Sequence, residues 1–181
     1  MSQLAGGDPD IDVLFDEAAI AARVEGLAQD IVAVMGTEFL AVSILKGSFI
    51  FAADLLRALH GAGAVPDTDF LSLSSYGAGT RSRGAVEIVR DVEVDVGGKD
   101  ILLIDDILES GRTLVFATDL MMARGARRVK TCVLLEKAGR LETDIKAGFV
   151  GFDCPDRFVI GYGMDMAHGF RSLPYVGAIR D

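Results

Sequence analysis

Asp105 and Asp106 stand side by side at the end of an apolar run, Ile101-Leu102-Leu103-Ile104, and the turn Glu109-Ser110-Gly111-Arg112-Thr113 follows closely. Adjacent carboxylates can accept hydrogen bonds from a pair of sugar hydroxyls or approach a hard cation. The turn offers hydroxyls on Ser110 and Thr113, and Gly111 lets the backbone approach a ligand closely. Beyond it the pattern predicts a helix from about 113 to 124, closed by Gly125. The first amides of such a helix have no partner inside it, and its dipole favours an anion at this end. Acids for sugar hydroxyls beside a cradle for an anion make a site suited to a ribose phosphate. Receiver domains and Walker-type NTPases also place paired acids at strand ends. Here no Gly-x-x-x-x-Gly-Lys-Ser/Thr motif accompanies them, and the anion-friendly turn follows the acids directly. An ordinary strand-to-helix turn capped by Ser110 is the purely structural alternative.

The elements that must hold these residues can be read from periodicity. Residues 101–104, large and apolar without alternation, predict a strand buried on both faces. Ile20, Val24, Leu27, Ile31 and Val34 recur at spacings of four and three, so 17–35 reads as an amphipathic helix with Asp16 as N-cap and Gly36 as its stop. A strand at 39–45 turns through Lys46-Gly47-Ser48 into a helix at 49–59, which ends in the loop 60–66. Further strands are expected at 70–74, 85–89, 129–135 and 158–162. Strand and helix alternate, which predicts an α/β fold with a parallel sheet and helices on both faces. In such sheets ligands bind beyond the carboxyl ends of the strands, where Lys46-Gly47, Asp105-Asp106 and Glu136-Lys137 all fall. From Lys137 onward the apolar runs are shorter and broken by Gly and Pro, which predicts a small hood within a single domain spanning 1–181.

Half of the 181 residues are hydrophobic, enough for a sizeable core, yet no apolar run is long enough to span a bilayer. The acidic, Gly-containing stretch 1–12 does not read as a signal peptide, so a soluble, cytoplasmic chain without a membrane partner is expected. Cys132, in an expected strand, and Cys154, in an expected loop, are too few for a disulfide framework and are read as reduced thiols, not as a zinc site. A net charge of −9 argues against a nucleic-acid partner. Arg81 and Arg83, and the cluster Arg124, Arg127, Arg128 and Lys130, are local exceptions. They read as solvated faces, or as cations kept where a polyanionic substrate needs them.

The segment 101–113 resembles the phosphoribosyl diphosphate (PRPP) signature of type I phosphoribosyltransferases, and from about 39 to 179 the chain is similar to their hypoxanthine-guanine branch. The resemblance implies that Asp105 and Asp106 hold the ribose hydroxyls and that Ser110, Gly111, Arg112 and Thr113 anchor the 5-phosphate. Leu45-Lys46-Gly47-Ser48 matches the family's diphosphate loop, with Lys46 and Gly47 at the diphosphate and a cis peptide between Leu45 and Lys46. The Gly-rich segment 74–84 resembles a flexible lid whose Ser75 and Tyr76 close over the reacting centre; a lid would keep water from a cationic sugar. Lys137 would donate to the 6-oxygen of a purine, and a lysine, which only donates, would select 6-oxopurines over adenine. In the segment 155–165, Phe158 would stack on the base, the Val159 backbone would meet the purine edge, and Asp165 would share magnesium with Asp105 and Asp106. Arg171 would contact the departing diphosphate.

Glu109 stands where the family usually carries aspartate. It keeps the carboxylate proposed to assist the proton at purine N7, one methylene further out. Met166 replaces an aromatic and His168 an acid. The resemblance implies transfer of 5-phosphoribosyl from PRPP to hypoxanthine or guanine, with Mg2+ as cofactor, by a homodimer or homotetramer. The nearest rivals are a xanthine transferase and a regulatory protein that only binds PRPP. The lid, the stacking aromatic and the carboxylate favour an enzyme.

Overall fold

The computed structural model of the protein describes residues 10–75 and 86–180. Tyr76 and most of the expected lid lie outside the described residues, as do Arg81, Arg83, Ala85 and the first nine residues; Ser75 ends a strand. The elements are β1 (Ile11–Phe15), α1 (Glu17–Met35), β2 (Leu40–Leu45), α2 (Phe49–Gly61), β3 (Asp67–Ser75), β4 (Val86–Arg90) and β5 (Asp100–Leu108). They continue with α3 (Arg112–Ala123), β6 (Arg128–Glu136), β7 (Phe149–Asp153), β8 (Val159–Ile160) and β9 (Val176–Ile179).

Among the described residues the main sheet has six strands in the order β4-β3-β2-β5-β6-β7. It is parallel except for β4, an antiparallel edge strand against β3. From β2 the chain passes through α2 to β3 on one side, while β5 lies on the other side and continues through α3 to β6. Right-handed crossovers in opposite directions put α2 and α3 on opposite faces of the sheet. Accordingly Leu102, Ile104 and Leu134 pack with α1 and α2, while Ile101, Leu103 and Val133 pack with α3. The reversal between β2 and β5 is the topological switch point, and it opens a crevice at their carboxyl ends.

Local chemistry sets the helix limits. Asp16 accepts from the Ala19 amide at 2.8 Å to start α1, and Gly36, with φ +79°, ends it by donating to Val32 O at 2.9 Å. Ile20, Val24, Leu27 and Ile31 are buried as the periodicity predicts, but Val34 is 51% exposed and Met35 takes the inward place. The buried Ser48 hydroxyl donates to Ile44 O at 2.5 Å and lies 2.7 Å from the Ser43 hydroxyl, pinning the turn that carries Lys46 and Gly47. The Leu45–Lys46 peptide is cis.

Several expectations are corrected. The strand expected at 101–104 continues to Leu108, because β6 keeps pairing with it as far as Leu108 opposite Glu136 after β2 has stopped at Ser43 opposite Ile104. The paired acids therefore lie inside a projecting strand. Residues 158–162 do not join the main sheet: only Val159–Ile160 is strand, antiparallel to β9 in a small second sheet of order β1-β9-β8. That hood draws β1 from the N-terminal end, while β7, expected within it, extends the main sheet. The cationic cluster is not simply solvated, since Arg124 pairs with Asp91 at 2.5 Å and Arg127 and Arg128 with the buried Asp100 at 2.7 and 2.5 Å.

Candidate active site

Two adjoining cavities occupy the crevice. One, about 490 Å³, is lined by Lys46, Gly47, Asp105, Asp106 and the whole turn Glu109-Ser110-Gly111-Arg112-Thr113. The other, about 580 Å³, is lined by Lys137, Phe158, Val159, Asp165 and Arg171. Lys46, Gly47, Asp106 and Glu109 border both. Every candidate site residue from Lys46 to Arg171 whose side chain is described thus borders one of these two adjoining cavities. A larger groove of about 770 Å³ between α1, α2 and residues 172–174 holds none of them.

Alternation along β5 sends Asp105 towards the α3 face and Asp106 towards the α2 face. Asp105 accepts from the Asp106 amide at 3.0 Å, and Asp106 from the Ile107 amide at 2.8 Å. Burial, and then the negative charge of Asp106, push the Asp105 carboxyl well above the ordinary carboxylate range; burial also raises Asp106. A methyl group at Gly47 would come within 1.6 Å of Asp106 Oδ2, so only glycine lets this carboxylate lie across the Lys46-Gly47 turn.

The anion cradle is built on Gly111, whose φ of +83° makes it the left-handed cap from which α3 springs. The Val115 amide returns to Gly111 O at 2.9 Å, and the Arg112 amide leans on the Ser110 hydroxyl at 3.4 Å. The first residues of α3, Arg112 to Leu114, line the cavity, which puts the start of the helix, the end that favours an anion, at its wall.

In the second cavity the Lys137 ammonium, 8% exposed, lies 3.2 Å from Glu109 Oε1. A buried ammonium needs a partner, and the carboxylate supplies one. Phe158 is 57% exposed, an apolar ring open at the rim, and its carbonyl accepts from the Ile179 amide of β9 at 3.2 Å. Asp165 and Arg171 pair with each other at 2.6 Å. Asp165 also accepts from the His168 amide at 2.8 Å, and Arg171 donates to Gly163 O at 2.6 Å. Tyr162, Ala167, His168 and Phe170 have φ between +48° and +71°, so this loop concentrates left-handed, non-glycine backbone beside the cavity. Met166 and Gly169 close a bridge within it.

The segment just after Lys137 adds residues that sequence reasoning did not single out. The Glu142 amide donates to Ser110 O at 3.0 Å, and Glu142 pairs with Arg112 at 2.5 Å. Thr143 Oγ1 would lie 2.2 Å from a methyl group at Gly111 and has no hydrogen-bond partner among the described residues. No motif or spacing marks these contacts, because they join segments about 30 residues apart in sequence through tertiary packing.

The phosphoribosyl transferase domain model matches residues 10–167. Hypoxanthine phosphoribosyltransferase of Salmonella typhimurium is 40% identical over 173 residues, covering 93% of this chain and 95% of that protein. Hypoxanthine-guanine phosphoribosyltransferase of Bacillus subtilis is 41% identical over 169 residues, covering 93% and 92%. Among solved structures, a hypoxanthine-guanine phosphoribosyltransferase of Bacillus anthracis superposes with a TM-score of 0.86 at 35% identity, covering 96% of this chain and all of that one.

Proposed function

The chain belongs to the phosphoribosyl transferase domain family, and on that premise we infer that it is a purine salvage enzyme. It transfers 5-phosphoribosyl from PRPP to hypoxanthine or guanine, giving IMP or GMP and diphosphate. The observation that carries this reading is the pair of buried Lys137 with half-exposed Glu109, lining the same cavity as the exposed Phe158 ring, beside a sugar-and-phosphate cradle. The ring offers a face to a flat base. The ammonium donates to an oxo group and repels the amino group of adenine. Glu109 is within reach of the same base edge.

In the proposed reaction the bond from ribose C1 to the diphosphate oxygen breaks as the bond from C1 to purine N9 forms. Positive charge builds on the sugar, as in glycoside hydrolysis. Asp105 and Asp106 hold the ribose hydroxyls, the Ser110 to Thr113 loop holds the 5-phosphate, and Lys46 and Gly47 lie along the diphosphate, so positioning contributes much of the acceleration. Arg171 leaves Asp165 to meet the departing diphosphate. Glu109 takes the proton that the imidazole ring of the purine releases at N7.

Magnesium fits the donor set: hard carboxylate oxygens on Asp105 and Asp106, whose burial a cation would offset, with Asp165 across the cavity. Among the described residues no three acidic, histidine or cysteine side chains converge into a cage, so these aspartates would hold the ion together with substrate oxygens. When bound it supplies positive charge that neutralises the diphosphate. No described helix is long and apolar enough to cross a membrane. The same proposal has the enzyme act in the cytoplasm as a homodimer or homotetramer, the latter read by light scattering.

The test is diphosphate release from PRPP and Mg2+ with hypoxanthine, guanine, xanthine or adenine, alongside Glu109→Ala. Turnover with a 6-oxopurine, at least ~100-fold less with adenine, and a loss of roughly 10²-fold or more in the variant is the expected pattern. Equal use of adenine, or no release with any base, overturns the reading.

A further inference from the structure

Between Lys137 and Thr143 the chain leaves β6 through a single 3-10 turn, Ala138–Arg140, and runs back along the anion cradle. It is fastened there at two carbonyls, since the Lys137 amide donates to Leu108 O at 2.9 Å and the Glu142 amide to Ser110 O at 3.0 Å. It is also wedged under Gly111, where Thr143 Oγ1 and the Ile145 side chain would meet an added methyl at 2.2 and 2.8 Å. Glu142 reaches forward from this strap to the Arg112 guanidinium at 2.5 Å, both side chains being about half exposed at 53% and 50%. Arg112 opens α3 and lines the cradle cavity, but its charge is already shared with a carboxylate anchored by its own backbone to the loop.

Resting on the reading of this cradle as the 5-phosphate seat, we propose that Glu142 is a positioning residue that sets the grip on phosphate by competing for Arg112. A dianionic phosphate arriving at the amides of α3 must draw the guanidinium away from Glu142. The net gain is therefore smaller than a free arginine would give, and the product nucleotide is released more readily. The pair is exposed, so the effect is modest. An exposed ion pair is worth roughly 0.2–1 kcal/mol, which converts to about a 1.4- to 5-fold change in binding.

The experiment is Glu142→Gln, which keeps length and the backbone bond to Ser110 but removes the charge, made alone and with Arg112→Leu. The dissociation constant of ribose 5-phosphate, measured by titration calorimetry, and the KM for PRPP should fall about two- to fivefold in Glu142→Gln. The KM for hypoxanthine should stay unchanged. Arg112→Leu should weaken ribose 5-phosphate, and adding Glu142→Gln to it should change nothing further. A merely structural brace gives the opposite sign, weaker phosphate binding in Glu142→Gln, and that outcome overturns the proposal. So does an unchanged affinity, or an effect that persists without Arg112. Because ribose 5-phosphate binding does not depend on turnover, wild-type enzyme that binds it but transfers no ribosyl group counts against the proposed reaction and leaves this competition measurable.

Discussion

At the two carboxylates of β5, stability and the proposed activity make opposite demands. Asp105 is buried, and burial followed by the charge of Asp106 raises its pKa well above the ordinary range. The folded protein therefore holds that proton more tightly than the unfolded chain does. The resulting stabilisation is complete below the unfolded carboxylate pKa of about 3.9, and it is lost as pH rises through the elevated folded value. Asp105→Asn keeps an oxygen to accept from the Asp106 amide but cannot ionise. Urea melts at pH 8 should find it more stable than wild type by about 1 kcal/mol or more, roughly 2–4 °C in Tm. Its stability should also depend less on pH between 4.5 and 8, while kcat/KM for PRPP falls by at least ~10-fold with the loss of a charged acceptor. A variant that melts below wild type at pH 8 would sink this account. At this scale most of the candidate site was legible, because paired acids, a hydroxyl-rich turn and a lysine at a strand end are chemical types whose order along the chain survives folding. Glu142 and Thr143 were not legible: a glutamate and a threonine acquire meaning only from Arg112 and Gly111, which lie against them in space.

At the scale of elements, the crevice depends on two segments that converge without touching too soon. Ser48 pins the Lys46-Gly47 turn at the start of α2, β5 projects past β2 on its ladder with β6, and Asp106 then crosses Gly47 where a methyl group would sit 1.6 Å from its carboxylate oxygen. Gly47→Ala must push Asp106 aside. It should retain the far-UV spectrum, raise the KM for PRPP more than ~10-fold, and cost about 1–3 kcal/mol of stability by overpacking. Gly61→Ala, at the other end of the same helix with nothing within 4 Å of the added methyl, is the control and should be near neutral in both assays. Equal behaviour of the two variants would refute the close approach as the reason for glycine at 47. Sequence periodicity found α1, α2, β2 and β6 because each buries a regular face or lies in the sheet centre. It stopped β5 at Ile104, because the charge of Asp105 and Asp106 ends the apolar run four residues before hydrogen bonding to β6 ends. It passed over β7, whose Gly151 interrupts a short run that a neighbouring ladder nevertheless recruits.

The molecule as a whole pairs strands from opposite ends of its described residues. β1 pairs with β9 to complete the hood, Arg157 reaches Asp12 at 2.9 Å, and Arg180 reaches Asp10 and Asp12 at 2.8 and 2.5 Å. Such pairing between distant ends has no signature in a local window, which is why a hood built only from the C-terminal part was expected and β1 was missed. The hood must also be fixed to the main sheet if Phe158 and Asp165 are to face Lys137 and Asp106. A brace on the sheet edge and a stack from β1 across to that edge contribute to this. Arg23 of α1 donates to Gly151 O and Val150 O of the edge strand β7 at 2.9 and 2.7 Å, which occupies carbonyls that another chain could otherwise pair with. Phe15, at the end of β1, stacks on Phe152 of β7 with ring centroids 4.3 Å apart and planes inclined by 20°. If that stack holds the hood in register, Phe15→Ala should cost about 2–3 kcal/mol. In a double-mutant cycle with Phe152→Ala, the double variant should then lose roughly 0.5–1.5 kcal/mol less than the sum of the two single losses. The half proposed to bind the base should suffer more than the half proposed to bind phosphate, so KM for hypoxanthine should rise in Phe15→Ala while ribose 5-phosphate binding, assigned by the proposal to β5, α3 and the strap, stays near wild type. A uniform loss at both subsites would mean that the domain loosens as one body and that the hood has no independent seat on the sheet.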